Sequence, residues 1–207
     1  MSFTKINVDV TANEKSTMQR TYSMFFNIDL SHLMAFIKDK QLNLFPVCLY
    51  GIARTVNHHP EFRMAVDTFG NVGYFDTSSP CYTVFCRQNK AFTDVWTQYN
   101  DNFNAFYQNC VDASDKLQNL LCATLPLTRS NTFNVSCVPS TSLYDTQQSF
   151  YSRYEYLQPV FTLGKSFDSE DKVLLPMAIQ VHGAICDEAH TSSFVNELQE
   201  WADTFAI

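Results

Sequence analysis

The chain has 207 residues, long enough to bury one sizeable core, and its 45% hydrophobic against 17% charged residues suit a single globular domain over residues 1–207 rather than a disordered segment. Five glycines leave little for a phosphate-cradling loop, and a net charge of −7 with scattered Lys and Arg argues against nucleic acid as a partner. No leader-like start and no run of about 18 apolar residues occurs, so the expectation is a cytoplasmic protein without a membrane partner.

The seven cysteines, Cys48, Cys81, Cys86, Cys110, Cys122, Cys137 and Cys186, are odd in number and lie mostly in apolar strings. They read as free thiols, and without CxxC or HExxH spacing no metal site is expected.

Residues 2–10 and 20–30 alternate apolar and polar and read as strands; the second carries Tyr22, Phe25, Phe26 and Ile28. Ser31 reads as the N-cap of a helix with Leu33, Met34 and Ile37 on one face. Residues 47–57 are apolar on nearly all sides, as in a buried helix. Residues 62–66 and 72–76 flank an FGN turn and predict a hairpin, followed by a strand at 82–86.

From 94 to 121 the aromatics Trp96, Tyr99, Phe103, Phe106 and Tyr107 recur at helical spacing. Strands are then expected at 132–138, 156–163 and 173–185, the last central, before a closing helix with Phe194, Val195, Leu198, Trp201 and Phe205 on one stripe. The sum is an α/β or α+β two-layer sandwich, a mixed sheet covered by helices.

Four segments carry a family resemblance. LFPVCLYGIARTVNHHPEFRMAV (44–66), DTSSPCYTVFC (76–86), FNVSCVP (133–139) and the stretch 158–190 ending in HGAICDEAH resemble, in order, the motifs of the chloramphenicol acetyltransferases. The resemblance implies that family's fold, a homotrimer with clefts at subunit interfaces, and entry of coenzyme A from one side of each cleft.

Acetyl transfer from a thioester to an alcohol needs a base for the hydroxyl proton and a donor for the oxyanion. The resemblance assigns the base to the second histidine of HHxxxDG, and the corresponding string here is HGAICDE, so the base position is Gly183. The general-base contribution, roughly a factor of 10²–10⁴, is missing from that position. His182 remains, but neighbouring side chains of an extended segment face opposite ways, so it is expected to turn away from the cleft into a structural hydrogen bond unless the backbone freedom of Gly183 rotates it.

Asp187 matches the motif aspartate, which in the family pairs with an N-terminal arginine; the region 10–18 lacks that residue, leaving Arg20 or Arg63 as substitutes. Glu188 stands where the motif has glycine and is expected to strain the turn. Ser136 matches the oxyanion serine, and Thr162 and Lys165 match positions near the coenzyme. Ser140 and Ser166 replace aromatics there, which reduces the stacking surface. Cys186, four residues from His182, reads as a buried thiol.

Three functions follow. The first is a small-molecule binder without acetyltransferase activity and without a required cofactor, its clefts lined by Tyr22, Phe25, Phe26, Tyr82 and Phe133. The second is a divergent acetyl-CoA-dependent O-acetyltransferase acting on chloramphenicol or a similar alcohol, with His182 or His190 as base. The third is a purely structural trimer, with clefts filled by side chains such as Met24 or Phe26.

Overall fold

A computed structural model describes residues 2–6, 21–86, 91–119, 131–138 and 157–206. Two strands that are 9 and 11 residues long dominate it: β2 (Thr21–Asp29) and β10 (Lys172–His182), paired antiparallel from Asp29↔Leu174 to Thr21↔His182. β2 alternates along its length and β10 does so from Met177 to His182, after a continuously buried stretch at Leu175, Pro176 and Met177, which suits a sheet with one face against a core. On β10, Leu175, Met177, Ile179 and Val181 are buried, whereas Ala178, Gln180 and His182 on the other parity are only half-buried.

β1 (Phe3–Lys5) precedes β2, and between β2 and β10 lie α1 (Ser31–Lys40), α2 (Leu44–His58), a 3-10 turn (Pro60–Arg63), β3 (Met64–Val66), β4 (Val72–Phe75), β5 (Ser79–Cys86) and β6 (Ala91–Trp96). They are followed by α3 (Phe103–Asn119), β7 (Thr132–Cys137), β8 (Val160–Leu163) and β9 (Phe167–Ser169), and α4 (Glu188–Thr204) closes the chain after β10. The main sheet runs β2-β10-β8-β7-β5-β6, with β9 also on β10; the pairs β5–β7 and β7–β8 are parallel, the others antiparallel. A smaller sheet, β1-β4-β3, contains the expected hairpin.

The helices cover one face of the main sheet. Phe194 of α4 stacks on Phe161 of β8 at 5.1 Å between ring centres and meets Phe62 at 5.0 Å. Each of these rings is fully buried and contributes about 1.5–3 kcal/mol through removal from water. Gly51 of α2 sits where a Cβ would stand 2.3 Å from the Trp201 ring, so α2 and α4 approach closely only because that side chain is absent.

Several boundaries differ from the sequence reading. The helix expected from residue 94 starts at Phe103, because 91–96 alternate and pair with β5 as strand β6. Leu30, not Ser31, is the N-cap of α1. The Ser31 hydroxyl instead donates to Asp29 Oδ1 at 2.6 Å and accepts from the Val173 backbone N–H at 3.0 Å. With Lys172 Nζ 2.9 Å from Asp29 Oδ2, this pins the start of α1 to β10. The last expected strand stops at His182, where residues 183–185 turn.

Candidate functional site

The face of the main sheet away from the helices carries most of the polar residues singled out from the sequence. Register places Ser136 opposite Thr162, Thr162 opposite Ala178, and Ala178 opposite Phe25. Cross-strand partners share a face, so Phe25, Ala178, Thr162 and Ser136 form one transverse row: an aromatic ring, a small gap, then two hydroxyls. Such a row can stack an apolar ring at one end and hydrogen-bond an oxygen at the other. Lys165 is exposed just beyond β8, beside the half-buried Ser166.

The aromatic lining expected of the clefts is mostly elsewhere. Tyr82 is 2% exposed, with its hydroxyl 2.8 Å from Thr97 Oγ1, and Phe133 is buried edge-on against Phe161. Tyr22 and Phe26 share the parity of buried Ile28 and pack against the core, so all four belong to the core-facing side. Met24 does the same and does not fill the open face. Phe25, 54% exposed, is the one member of the expected aromatic set on that face.

His182 ends β10 on the parity of Ala178, so it lies on the open face, contrary to the expectation that it turns away into the core. Its Nδ1 accepts the Ala184 backbone N–H at 3.3 Å, while its carbonyl accepts from Ile185 and Cys186 at 2.9 and 3.0 Å. A neutral imidazole that accepts at Nδ1 carries its proton on Nε2 and is therefore a donor there, the wrong form for taking a hydroxyl proton. It is also four residues, roughly 13 Å, along β10 from the row containing Thr162 and two strands away from Ser136. Within one chain the two cannot hold the same substrate atom.

Gly183 has no unusual backbone: among the described residues the one glycine with positive φ is Gly70. The φ of Gly183 is therefore one that a larger residue could also adopt. Glu188 is likewise unstrained as the first residue of α4, where its charge favours the helix N-terminus.

Asp187 is the N-cap of α4. Its Oδ1 accepts from the His190 backbone N–H at 3.1 Å while its own backbone N–H donates to His190 Nδ1 at 3.3 Å, a reciprocal capping box, and Oδ1 also lies 2.6 Å from that Nδ1. These His190 hydrogen bonds hold its carboxyl below the usual range. No arginine pairs with it among the described residues. Arg63, at the end of the 3-10 turn, instead donates to the carbonyls of Phe75 and Asp76 at 2.6 and 2.5 Å and lies over the Tyr74 ring of β4. Arg20, Ser140 and the segment 10–18 lie outside the described residues.

Cys186 is buried, with its thiol 3.9 Å from the Glu61 carbonyl, and burial pushes that thiol up to about 12, far from a nucleophile at neutral pH. The Asp187–His190 pair was not read from the sequence, though the D-x-x-H spacing before an amphipathic run is a capping-box signal. Phe25 could have been separated from Tyr22, Phe26 and Met24 by anchoring the alternation on Ile28.

The sequence pattern of the chloramphenicol acetyltransferase family matches residues 2–199. A chloramphenicol acetyltransferase of Clostridium perfringens is 42% identical over 187 residues, covering 89% of this chain and 85% of the relative. Another, of Campylobacter coli, is 35% identical over 209 residues, covering 97% and 98%.

Among solved structures, a chloramphenicol acetyltransferase superposes with a TM-score of 0.79 over 96% of this chain and all of its own, at 19% identity. The catalytic core of a 2-oxoacid dehydrogenase multienzyme complex from Thermoplasma acidophilum does so at 0.68 over 91% and 89%, at 9% identity. At such identities the superpositions speak for the fold, that of acyltransferases with a mixed sheet backed by helices. The chain belongs to the chloramphenicol acetyltransferase family.

Proposed function

We propose that the protein binds a small alcohol of the kind its relatives acetylate, chloramphenicol or a similar molecule, and does not transfer acetyl groups to it by the family's route. Gly183 carries this reading: it occupies the base position with an ordinary backbone, and the adjacent His182 accepts at Nδ1 and so offers Nε2 as a donor. The row Phe25, Ala178, Thr162 and Ser136 still offers a ring to stack on and two hydroxyls to orient a ligand.

The separation of that row from the 183–187 turn supports assembly from several copies, the homotrimer that the resemblance implies. In such an assembly the turn of one copy complements the row of another.

The decisive experiment follows free thiol from acetyl-CoA with chloramphenicol, alongside calorimetric binding of chloramphenicol alone. Binding without turnover is the expected result, with a gain of at least ~100-fold in acetyl transfer for Gly183→His. Robust turnover by the unaltered protein overturns the reading.

One observation favours a second reading, an active O-acetyltransferase with acetyl-CoA as co-substrate. His190 Nδ1 lies 2.6 Å from the Asp187 carboxylate on a ring that is 42% exposed; in the tautomer that donates Nδ1–H to that carboxylate, rather than accepting the Asp187 backbone N–H at 3.3 Å, Nε2 is an oriented base. Turnover that His190→Gln abolishes while chloramphenicol binding persists would establish it.

A further inference from the structure

The transverse row on the open sheet face does not end at Ser136. Tyr82 of β5 pairs with Val135 of β7, so Thr83 stands level with Ser136, and Thr83 pairs in turn with Asp94 of β6. Tyr82, Val84 and Val95 of the same two strands pack on the core, which places Thr83 and Asp94 on the opposite, open side. The Thr83 hydroxyl donates to Asp94 Oδ1 at 3.1 Å and holds the carboxylate on that face. The row thus runs from the Phe25 ring through Ala178 and the hydroxyls of Thr162, Ser136 and Thr83 to a carboxylate on the last strand of the sheet.

Two exposed rings border that carboxylate. Phe92 precedes Asp94 by two residues on β6 and so shares its face, and Phe85 is the cross-strand partner of Phe92 on β5. The ring centres lie 5.1 Å apart, tilted by 60°, yet the two residues stay 73% and 45% exposed. Among the described residues no Lys, Arg or His forms an ion pair with Asp94. The negative faces of aromatic rings and a carboxylate attract the same kind of group, a cation, and both disfavour an anion.

We infer that Asp94, Phe85 and Phe92 form an ammonium subsite of the open face, which makes the ligand an alcohol that also bears a cationic nitrogen. The inference rests on the proposal that the row orients a small alcohol, and it narrows the class: the hydroxyl meets Ser136 and Thr162, and the nitrogen meets Asp94 beside the rings. Two strand spacings, about 10 Å, separate the backbone positions of Ser136 and Asp94, so a bridging ligand carries hydroxyl and nitrogen at opposite ends of a small ring or short chain.

The test is calorimetric titration of the full chain with 4-(aminomethyl)benzyl alcohol, with 4-methylbenzyl alcohol, which lacks the charge, and with 4-methylbenzylamine, which lacks the hydroxyl. The amino alcohol is expected to bind about tenfold more tightly than the neutral alcohol. Asp94→Asn keeps an oxygen for the Thr83 hydroxyl, so it should preserve the melting temperature and the affinity for 4-methylbenzyl alcohol while erasing that preference. Phe92→Leu, which keeps apolar bulk without a ring face, should reduce the preference as well. Equal affinities for the two alcohols, or a preference that Asp94→Asn leaves intact, overturn the inference and leave the alcohol-binding proposal standing. Should chloramphenicol and 4-methylbenzyl alcohol both fail to bind, the alcohol-binding proposal falls and the amines decide the subsite. Binding of 4-methylbenzylamine that Asp94→Asn abolishes upholds it, and no saturable heat from either amine up to about 10 mM overturns it.

Discussion

His190 Nδ1 stands 2.6 Å from Asp187 Oδ1, so the carboxylate that the family motif couples to an arginine is held here by a residue of its own helix. The pairing lowers the Asp187 pKa through the His190 backbone and side-chain hydrogen bonds. A carboxyl depressed by folding stabilises the native state fully above its unfolded pKa and loses that effect as pH falls through its folded pKa. Melting curves from neutral to acid pH should therefore drop more steeply for the unaltered protein than for Asp187→Asn. Parallel curves would show that the pair is energetically silent.

Gly183 is proposed as a chemical rather than a conformational loss. Since its backbone suits any L residue, Gly183→Ala should fold normally, raise stability by about 0.4–1 kcal/mol in denaturant titration, and remain without turnover. Destabilisation by Ala would instead mean that the turn needs glycine.

Close contact between α2 and α4 depends on Gly51. Adding a methyl group there meets three Trp201 ring carbons at 2.3, 2.5 and 2.7 Å, so Gly51→Ala should lower unfolding free energy by about 1–3 kcal/mol. Combination with Trp201→Leu should recover part of the loss in a double-mutant cycle, because the two substitutions share one contact.

Glu197 ties the end of α2 to α4. Partial burial works to raise its pKa, but the His58 and His59 hydrogen bonds outweigh this and the net shift is downward. Its contribution is thus present above the ordinary glutamate range and lost on acidification. Glu197→Gln should remove about 1 kcal/mol at neutral pH, a charged hydrogen bond discounted for its exposure to solvent. Urea denaturation at neutral and acid pH checks both size and sign.

Burial pushes the thiols of Cys48 and Cys186 up to about 12 and that of Cys81 up to about 11. All three should resist Ellman's reagent in the native protein and react on unfolding, followed by peptide mapping of the modified sites. Rapid native labelling of Cys186 would reopen a nucleophilic role for it.

Sequence pattern revealed most of this architecture because burial leaves a strong imprint: the apolar run expected as a strand at 173–185 matches β10, which ends at His182, and the stripe Phe194, Leu198 and Trp201 corresponds to an observed core face. It failed at 91–96, where Trp96 and Tyr99 mimic helical spacing although the segment is held by pairing to distant β5, a non-local cause. The motif singled out Ser136, Thr162 and Gly183 as candidates, but how they lie relative to one another depends on register across three strands, which no local string records. The side that each aromatic faces was similarly hidden: Phe25 and Phe26 are equivalent in composition and opposite in space.

The antiparallel pairing of β2 with β10 joins residues 21–29 to residues 174–182, so the sheet's longest ladder must wait for nearly the whole polypeptide. Such sequence-distant pairing slows folding, and during synthesis it leaves β2 with one edge open and the exposed Phe25 ring unshielded until β10 emerges. The turn bearing Gly183 is made with that final strand, which puts it among the last parts of the protein to take shape.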